Sequence, residues 1–340
     1  MAGPRRRHDR RLAPRPRLCH KALPAPPARF PPGVRRPPSR IPDLTSPARA
    51  NRPRLGILLM VGTVFCLATM EAGAKYLTRT QPYEMVVWGR YLFHFLLTVP
   101  IFLTPATIRL VRTGRPAMHV LRSLFLAGGT LAGIGAISLM PLAEATALVF
   151  SAPLLVTLMS PLVLGEPVGW RRRGAIAVGF LGVLIILRPG TDFLTWAALL
   201  PLLASLCYAC YQVSTRLLSF SEYPLTLFFY TSLVGLAVTT PMAFAVWSPL
   251  TGTEWLILLF VGFFGFAGQF LLIKAFQVAE ASTVAPFIYV QLVFAGFYGW
   301  SLFGDLPDIW VLLGAAVVIG SGLYIWRRET RRAVGRSGAD

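Results

Sequence analysis

The residues of this 340-residue chain that could do chemistry are ionisable and amide side chains set inside long apolar runs. Glu71 lies in GTVFCLATMEAGAKYL and Arg90 in VVWGRYLFHFLL, while Lys75, Glu144, Arg216 and Glu280 stand near the margins of similar runs. None of the spacings that catalysis uses is present. There is no H-E-x-x-H, no G-x-S-x-G and no aspartate pair within the apolar runs, and His94 and His119 are isolated in sequence. Cys207 and Cys210 form a C-x-x-C in mid-run with no second Cys or His pair beside it, which reads as packing. We therefore expect no catalytic residue, no metal and no cofactor, and read the chain as a non-enzyme whose polar groups bind rather than react.

The elements that must position these groups follow from composition. With 55% hydrophobic residues, 14% charged residues and a mean hydropathy of +0.60, the chain lies outside the soluble range. Apolar runs long enough to cross ~30 Å of hydrocarbon as helices recur from Leu55 to Trp326, and the strict alternation of a membrane barrel is absent. Ten spans are expected, at 55–77, 83–103, 119–139, 143–164, 171–187, 193–218, 223–247, 254–275, 279–303 and 308–326. Pro100, Pro153, Pro161, Pro201, Pro241 and Pro286 fall inside them and mark kinks, which packed membrane bundles tolerate.

Lys and Arg fall mostly on one side of these spans, in loops bearing Arg109, Arg112, Arg115, Arg171, Arg172, Arg173, Arg216, Lys274 and the C-terminal arginines, against Lys75, Arg79 and Arg188 on the other. The asymmetry places both termini in the cytoplasm. Residues 1–54 hold 15 basic and 2 acidic residues with 13 prolines, and read as a disordered cytoplasmic tail that either sets topology or touches anionic lipid. Interleaved aromatics are lacking, so nucleic acid is not an expected partner. Residues 327–340 form a second cytoplasmic tail.

A duplication organises the rest. Ala143-Glu144-Ala145 recurs as Ala279-Glu280-Ala281, and Gly165-Glu166-Pro167 is answered by Gly304-Asp305 with Pro307. Cys66, Lys75 and Pro100 meet Cys207, Arg216 and Pro241 at an offset of 141, and Trp170, Gly174 and Gly182 meet Trp310, Gly314 and Gly322 at 140. Two five-helix units result, residues 55–187 and 193–326. Five is odd, so the second unit enters from the opposite face and is inverted. That arrangement lets one fold present two alternate gates around a midplane site. The expected class is an all-α integral membrane protein of ten transmembrane helices in two inverted repeats.

The run PLAEATALVFSAPLLVTLMSPLVLGEPVGWRRRGAIAVGFLGVLIILRPG, its second copy, the AGAKYL ending of the first span and Gly89-Arg90-Tyr91 resemble the EamA family of the drug/metabolite transporter superfamily. The resemblance covers about residues 55–326. It implies a ten-helix inverted-repeat carrier with spans 1–4 and 6–9 around a central cavity and spans 5 and 10 peripheral. It also implies a small-molecule substrate in the bacterial inner membrane, with export of amino acids or related amphiphiles as the leading direction. Uptake of a nucleoside-like or vitamin-like compound is the rival, and a non-transporting interaction protein recruited through its tail is an alternative of another class.

An ionisable group at bilayer depth costs about 2.5–3.5 kcal/mol and normally faces the bundle interior. Arg90 is thus an expected anchor for a substrate carboxylate or phosphate, with Glu71 its counter-charge or a group for a coupling proton. Tyr211, Gln212, Gln269, Tyr289 and Gln291 are expected to hydrogen-bond substrate, and Trp88 and Phe287 to offer stacking surfaces. Lys75–Glu144 at the outer face and Arg216–Glu280 at the inner face are expected gate pairs that close alternately. Membrane lipid is an expected partner, and a homodimer is compatible with the sequence.

Overall fold

The computed structural model describes residues 52–103, 107–163, 169–188, 196–218, 222–279 and 281–337. Among them it holds helices and no strand. The helices are α1 (Pro53–Leu77), α2 (Tyr83–Thr98), α3 (Pro116–Leu139), α4 (Leu142–Val149), α5 (Ala152–Val163), α6 (Trp170–Leu187), α7 (Leu199–Leu218), α8 (Pro224–Ala245), α9 (Gly252–Val278), α10 (Ala281–Val284), α11 (Val290–Phe303) and α12 (Ile309–Ser337). Proline opens α1, α3 and α8, where its missing N–H costs nothing. Thr251 and Glu254 close a capping box at the start of α9. Nine described spans are long and apolar enough to cross a membrane, and the shorter apolar helix Arg173–Leu187 is the tenth.

Several of the expected kinks become breaks. The second span tightens into a 3-10 turn at Val99–Phe102 around Pro100. The fourth splits between Val149 and Ala152, next to Pro153, and the ninth is α10, a 3-10 turn over Ala285–Tyr289 containing Pro286, and then α11. Pro161 and Pro241 lie within α5 and α8 without interrupting them. At the repeat offset of 136, Phe150 corresponds to Pro286, so both halves break the same span at the same place.

Packing obeys the inverted relation pair by pair. Span 1 packs on span 8 (α1 on α9), and its repeat mate, span 6, packs on span 3 (α7 on α3). Span 4 packs on span 6 (α5 on α7), mirrored by span 9 on span 1 (α11 on α1), while spans 2 and 7 and spans 5 and 10 pack on their own mates. These contacts are close because small residues stand at the crossings. A Cβ on Gly182 of α6 would lie 2.8 Å from the Gly314 carbonyl oxygen of α12, and one on Gly268 of α9 would lie 3.0 Å from Leu67 of α1.

Gly322 in α12 receives the Tyr289 ring: a Cβ at 322 would overlap the Tyr289 hydroxyl and lie 3.0 Å from its Cζ. Gly322→Ala should destabilise the protein by about 1–3 kcal/mol through overpacking. Tyr289→Phe in the same chain should recover part of that loss, because it removes the nearer atom. Thermal unfolding of the four variants in detergent measures the coupling, and strict additivity would contradict this packing.

Candidate functional site

One buried polar group is built on α1, α2, α3 and α11. Arg90 is 7% exposed and His94, one turn on, is 4% exposed, although both lie in an otherwise apolar helix. Arg90 Nη1 donates to Thr130 Oγ1 at 3.2 Å, and Tyr91 Oη lies 3.1 Å from that same oxygen. Glu71 Oε1 accepts from Gln291 Nε2 at 2.9 Å, which ties the middle of α1 to the first turn of α11. Two turns of α11 further on, Tyr298 Oη meets Thr69 Oγ1 at 2.8 Å. Tyr208 of α7 closes the group, its ring against Gly129.

Three buried atoms of this group have no hydrogen-bond partner: Arg90 Nε, Glu71 Oε2 and His94 Nε2. Arg90 lies within electrostatic range of both Glu71 and His94. Glu71 and Arg90 form no ion pair, contrary to the expectation from their depth, because Gln291 and Thr130 take the bonds that each would have offered the other. A donor and an acceptor are thereby held apart and left open, which suits a ligand carrying both kinds of group.

Other expected substrate residues are placed differently. Trp88 packs in an aromatic cluster with Phe244, Trp247 and Trp255, at centroid distances of 6.4, 5.7 and 6.2 Å, so its stacking capacity is spent inside the protein. Tyr211 accepts from Arg122 Nη2 at 2.8 Å. Tyr289 packs on Phe150 at 5.3 Å. Phe287 packs with the Met60 and Val64 cluster of α1. Gln212 is exposed on α7 and Gln269 half-buried on α9, and neither makes a side-chain hydrogen bond among the described residues.

At the Lys75 end of the bundle the expected Lys75–Glu144 pair is replaced. Lys75 Nζ bonds Asp305 Oδ2 at 2.9 Å and the Met140 carbonyl at 3.0 Å, joining α1 to the end of α11 and the end of α3. Asp305 is nearer because α11 ends at Gly304, whose φ of +74° turns the chain back toward α1. A second ion pair, Arg188–Asp308, joins the end of α6 to the start of α12. Asp308 lies outside the spans, and the bond from Arg188 holds its carboxyl below the ordinary range. Of the other expected gate pair, Arg216 lies in the last turn of α7 and Glu280 lies outside the described residues.

The opposite end carries a centre that spacing did not reveal. Arg122 of α3, 3% exposed, donates from Nε to Thr215 Oγ1 at 2.6 Å, from Nη1 to Thr231 Oγ1 at 2.9 Å and the Leu227 carbonyl at 3.1 Å, and from Nη2 to Tyr211. Beside it, His119 Nε2 lies 3.7 Å from Glu222 Oε2, and Thr113 donates to Glu222 Oε1 at 2.6 Å. The signal for Arg122 was a charged residue within a span, the same signal that exposed Arg90.

A model of the EamA-like transporter family matches residues 54–188 and 195–327, the two repeats in turn. The chain belongs to the EamA-like transporter family. A riboflavin transporter of Rhizobium johnstonii is 32% identical over 83% of this chain and 94% of its own length. An S-adenosylmethionine uptake transporter of Rickettsia felis is 30% identical over 76% and 87%, and a pseudopaline exporter of Pseudomonas aeruginosa 30% over 81% and 96%. A solved structure with 17% identity covers 82% of this chain and 98% of its own with a TM-score of 0.57, a likeness of fold. This EamA-like chain is accordingly a multi-pass membrane protein and a transporter of small metabolites.

The two buried arginines of this EamA-like chain differ in kind. Arg122 has all three guanidinium nitrogens bonded, whereas Arg90 keeps an open nitrogen. Arg122→Ala should therefore lower stability in detergent by roughly 3 kcal/mol, the size of a lost charge-assisted hydrogen bond. Arg90→Ala should lower it less and leave the amount of protein in the membrane unchanged. Melting curves of both variants check the ranking.

Proposed function

We propose that this protein imports a metabolite in which a fused nitrogen heterocycle is joined to a polyhydroxylated chain, of the flavin or nucleoside type, by alternating access. Of the cargo classes that the sequence leaves open this is the second, after amino-acid export. The observation that carries it is the open trio of Arg90 Nε, Glu71 Oε2 and His94 Nε2 in a group rimmed by Tyr91, Tyr208 and Phe266. A heterocycle edge presents donors and acceptors alternately, its face stacks on aromatic rings, and hydroxyls complete the remaining bonds. Riboflavin and S-adenosylmethionine, named for two of the relatives, both join a fused nitrogen heterocycle to a hydroxylated five-carbon unit, an open chain in the first and a ribose ring in the second, which supports the reading.

In this reading both termini are cytoplasmic, so the Lys75 end faces outward and the Arg122 end inward. The Lys75–Asp305 bond and the Arg122–His119–Glu222 centre close the two ends, and a gradient drives the cycle, because the sequence has no G-x-x-x-x-G-K-[ST] for ATP.

Expression in a riboflavin-requiring bacterium tests the proposal. The chain should lower the riboflavin needed for growth, and Arg90→Ala should raise that requirement again by at least roughly tenfold, since a charge-assisted bond contributes about 1.5–3 kcal/mol. An unchanged requirement with the chain present in the membrane excludes the flavin reading. Gained resistance to a toxic amino acid analogue in the same cells favours export instead.

A further inference from the structure

Five charged groups gather around the first turn of α4, and four of them are matched. Lys75 pairs with Asp305 and Arg188 with Asp308. The fifth, Glu144 in the first turn of α4, is 5% exposed, makes no hydrogen bond or ion pair among the described residues, and has Oε2 buried without a partner. The charged groups that face it are Arg188 from the end of α6, Asp308 and Asp305 from the connection between α11 and α12, and Lys75 from α1. The other neighbours of α4 add no charge there: α3 presents the Met140 carbonyl, already bonded to Lys75, and α7 an apolar first turn, Leu199 to Leu202. With Glu144 ionised the cluster carries one excess negative charge in a buried place. An unpaired buried carboxylate is costly, and a proton is the smallest ligand that removes the cost.

We propose that Glu144 is a proton-binding site, and that its proton is the one coupled to transport. A proton from the outer aqueous phase bonds to a Glu144 carboxylate oxygen, leaving the side chain neutral, and is given up to water on the other side later in the cycle. When Glu144 is neutral, Lys75 has Asp305 as its carboxylate partner, and α1 is tied to α11 as observed. When Glu144 is ionised it competes for Lys75, and the tie loosens. Asp308 keeps its charge at mildly acidic pH, since the bond from Arg188 holds its carboxyl below the ordinary range. The coupling half of this inference rests on the transport reading above, whereas the proton site itself does not.

The full chain, reconstituted in liposomes, is titrated by infrared difference spectroscopy in the protonated-carboxyl region. Wild type and Glu71→Gln should show a titrating band that Glu144→Gln lacks. Glu144→Asp, which guards against a misfolded Gln variant, should keep the band at a shifted position. A band that survives in folded Glu144→Gln, or no titrating band in wild type, overturns the proposal whatever the cargo is. Riboflavin then serves as the transport probe. Under an imposed gradient, acidic outside, wild type should accumulate it, while Glu144→Gln should only equilibrate it. Accumulation by Glu144→Gln equal to wild type overturns the coupling role. Failure of wild type to move riboflavin overturns the cargo reading and leaves the infrared result to decide the proton site.

Discussion

Every polar atom carried into the hydrocarbon must find its partner within the chain, because there is no water there to supply one. Helix formation satisfies the backbone, and the hydroxyls follow the same rule locally: Thr63, Thr69, Thr98 and Thr239 each bond the carbonyl four residues back. Side chains too long for that solution must be met by other helices. Arg122 shows the rule fulfilled, with four neighbours from α7 and α8 around one guanidinium. Arg90 shows it left unfinished at Nε, and Glu71 and His94 share the condition. Other open atoms are scattered through the bundle, but here three of them gather on two helices that follow one another in the chain.

The fold was legible because it depends on coarse quantities. Run length and charge asymmetry give the spans, and the odd number of spans per repeat makes inversion unavoidable. The site was legible in part. Glu71, Arg90 and Gln291 stand out as polar residues in apolar runs, and they meet. Trp88 and Tyr211 have the right chemistry, but their neighbours claim it first, and which neighbours a helix face meets is a matter of rotation that a weakly patterned apolar helix does not encode. The Lys75 partner was misjudged for a different reason. The repeat aligns Gly304-Asp305 with Gly165-Glu166, but spacing alone does not say that the turn at Gly304 brings Asp305, rather than Glu144, to Lys75.

The two halves diverge where each straps the other. Gln81 and Glu222 correspond at the offset of 141, yet Gln81 donates to Glu254 at the start of α9, while Glu222 is itself the acid facing His119 at the start of α3. Each loop straps the third helix of the other repeat, and the carboxylate has changed sides of the strap. One strap is built from an amide and a capping-box glutamate already engaged by its own helix. The other brings together an imidazole and an acid. The duplication preserves the architecture while letting the two ends of the molecule differ in chemistry.

Phe150 and Tyr289 touch where the fourth and ninth spans break. These are corresponding breaks in the two copies, so a single ring-on-ring contact joins the halves where each interrupts its helix. Tyr289 is also seated against Gly322 of α12, so the contact is anchored to a third span. Neither interruption can straighten without displacing a ring that the other half holds in place.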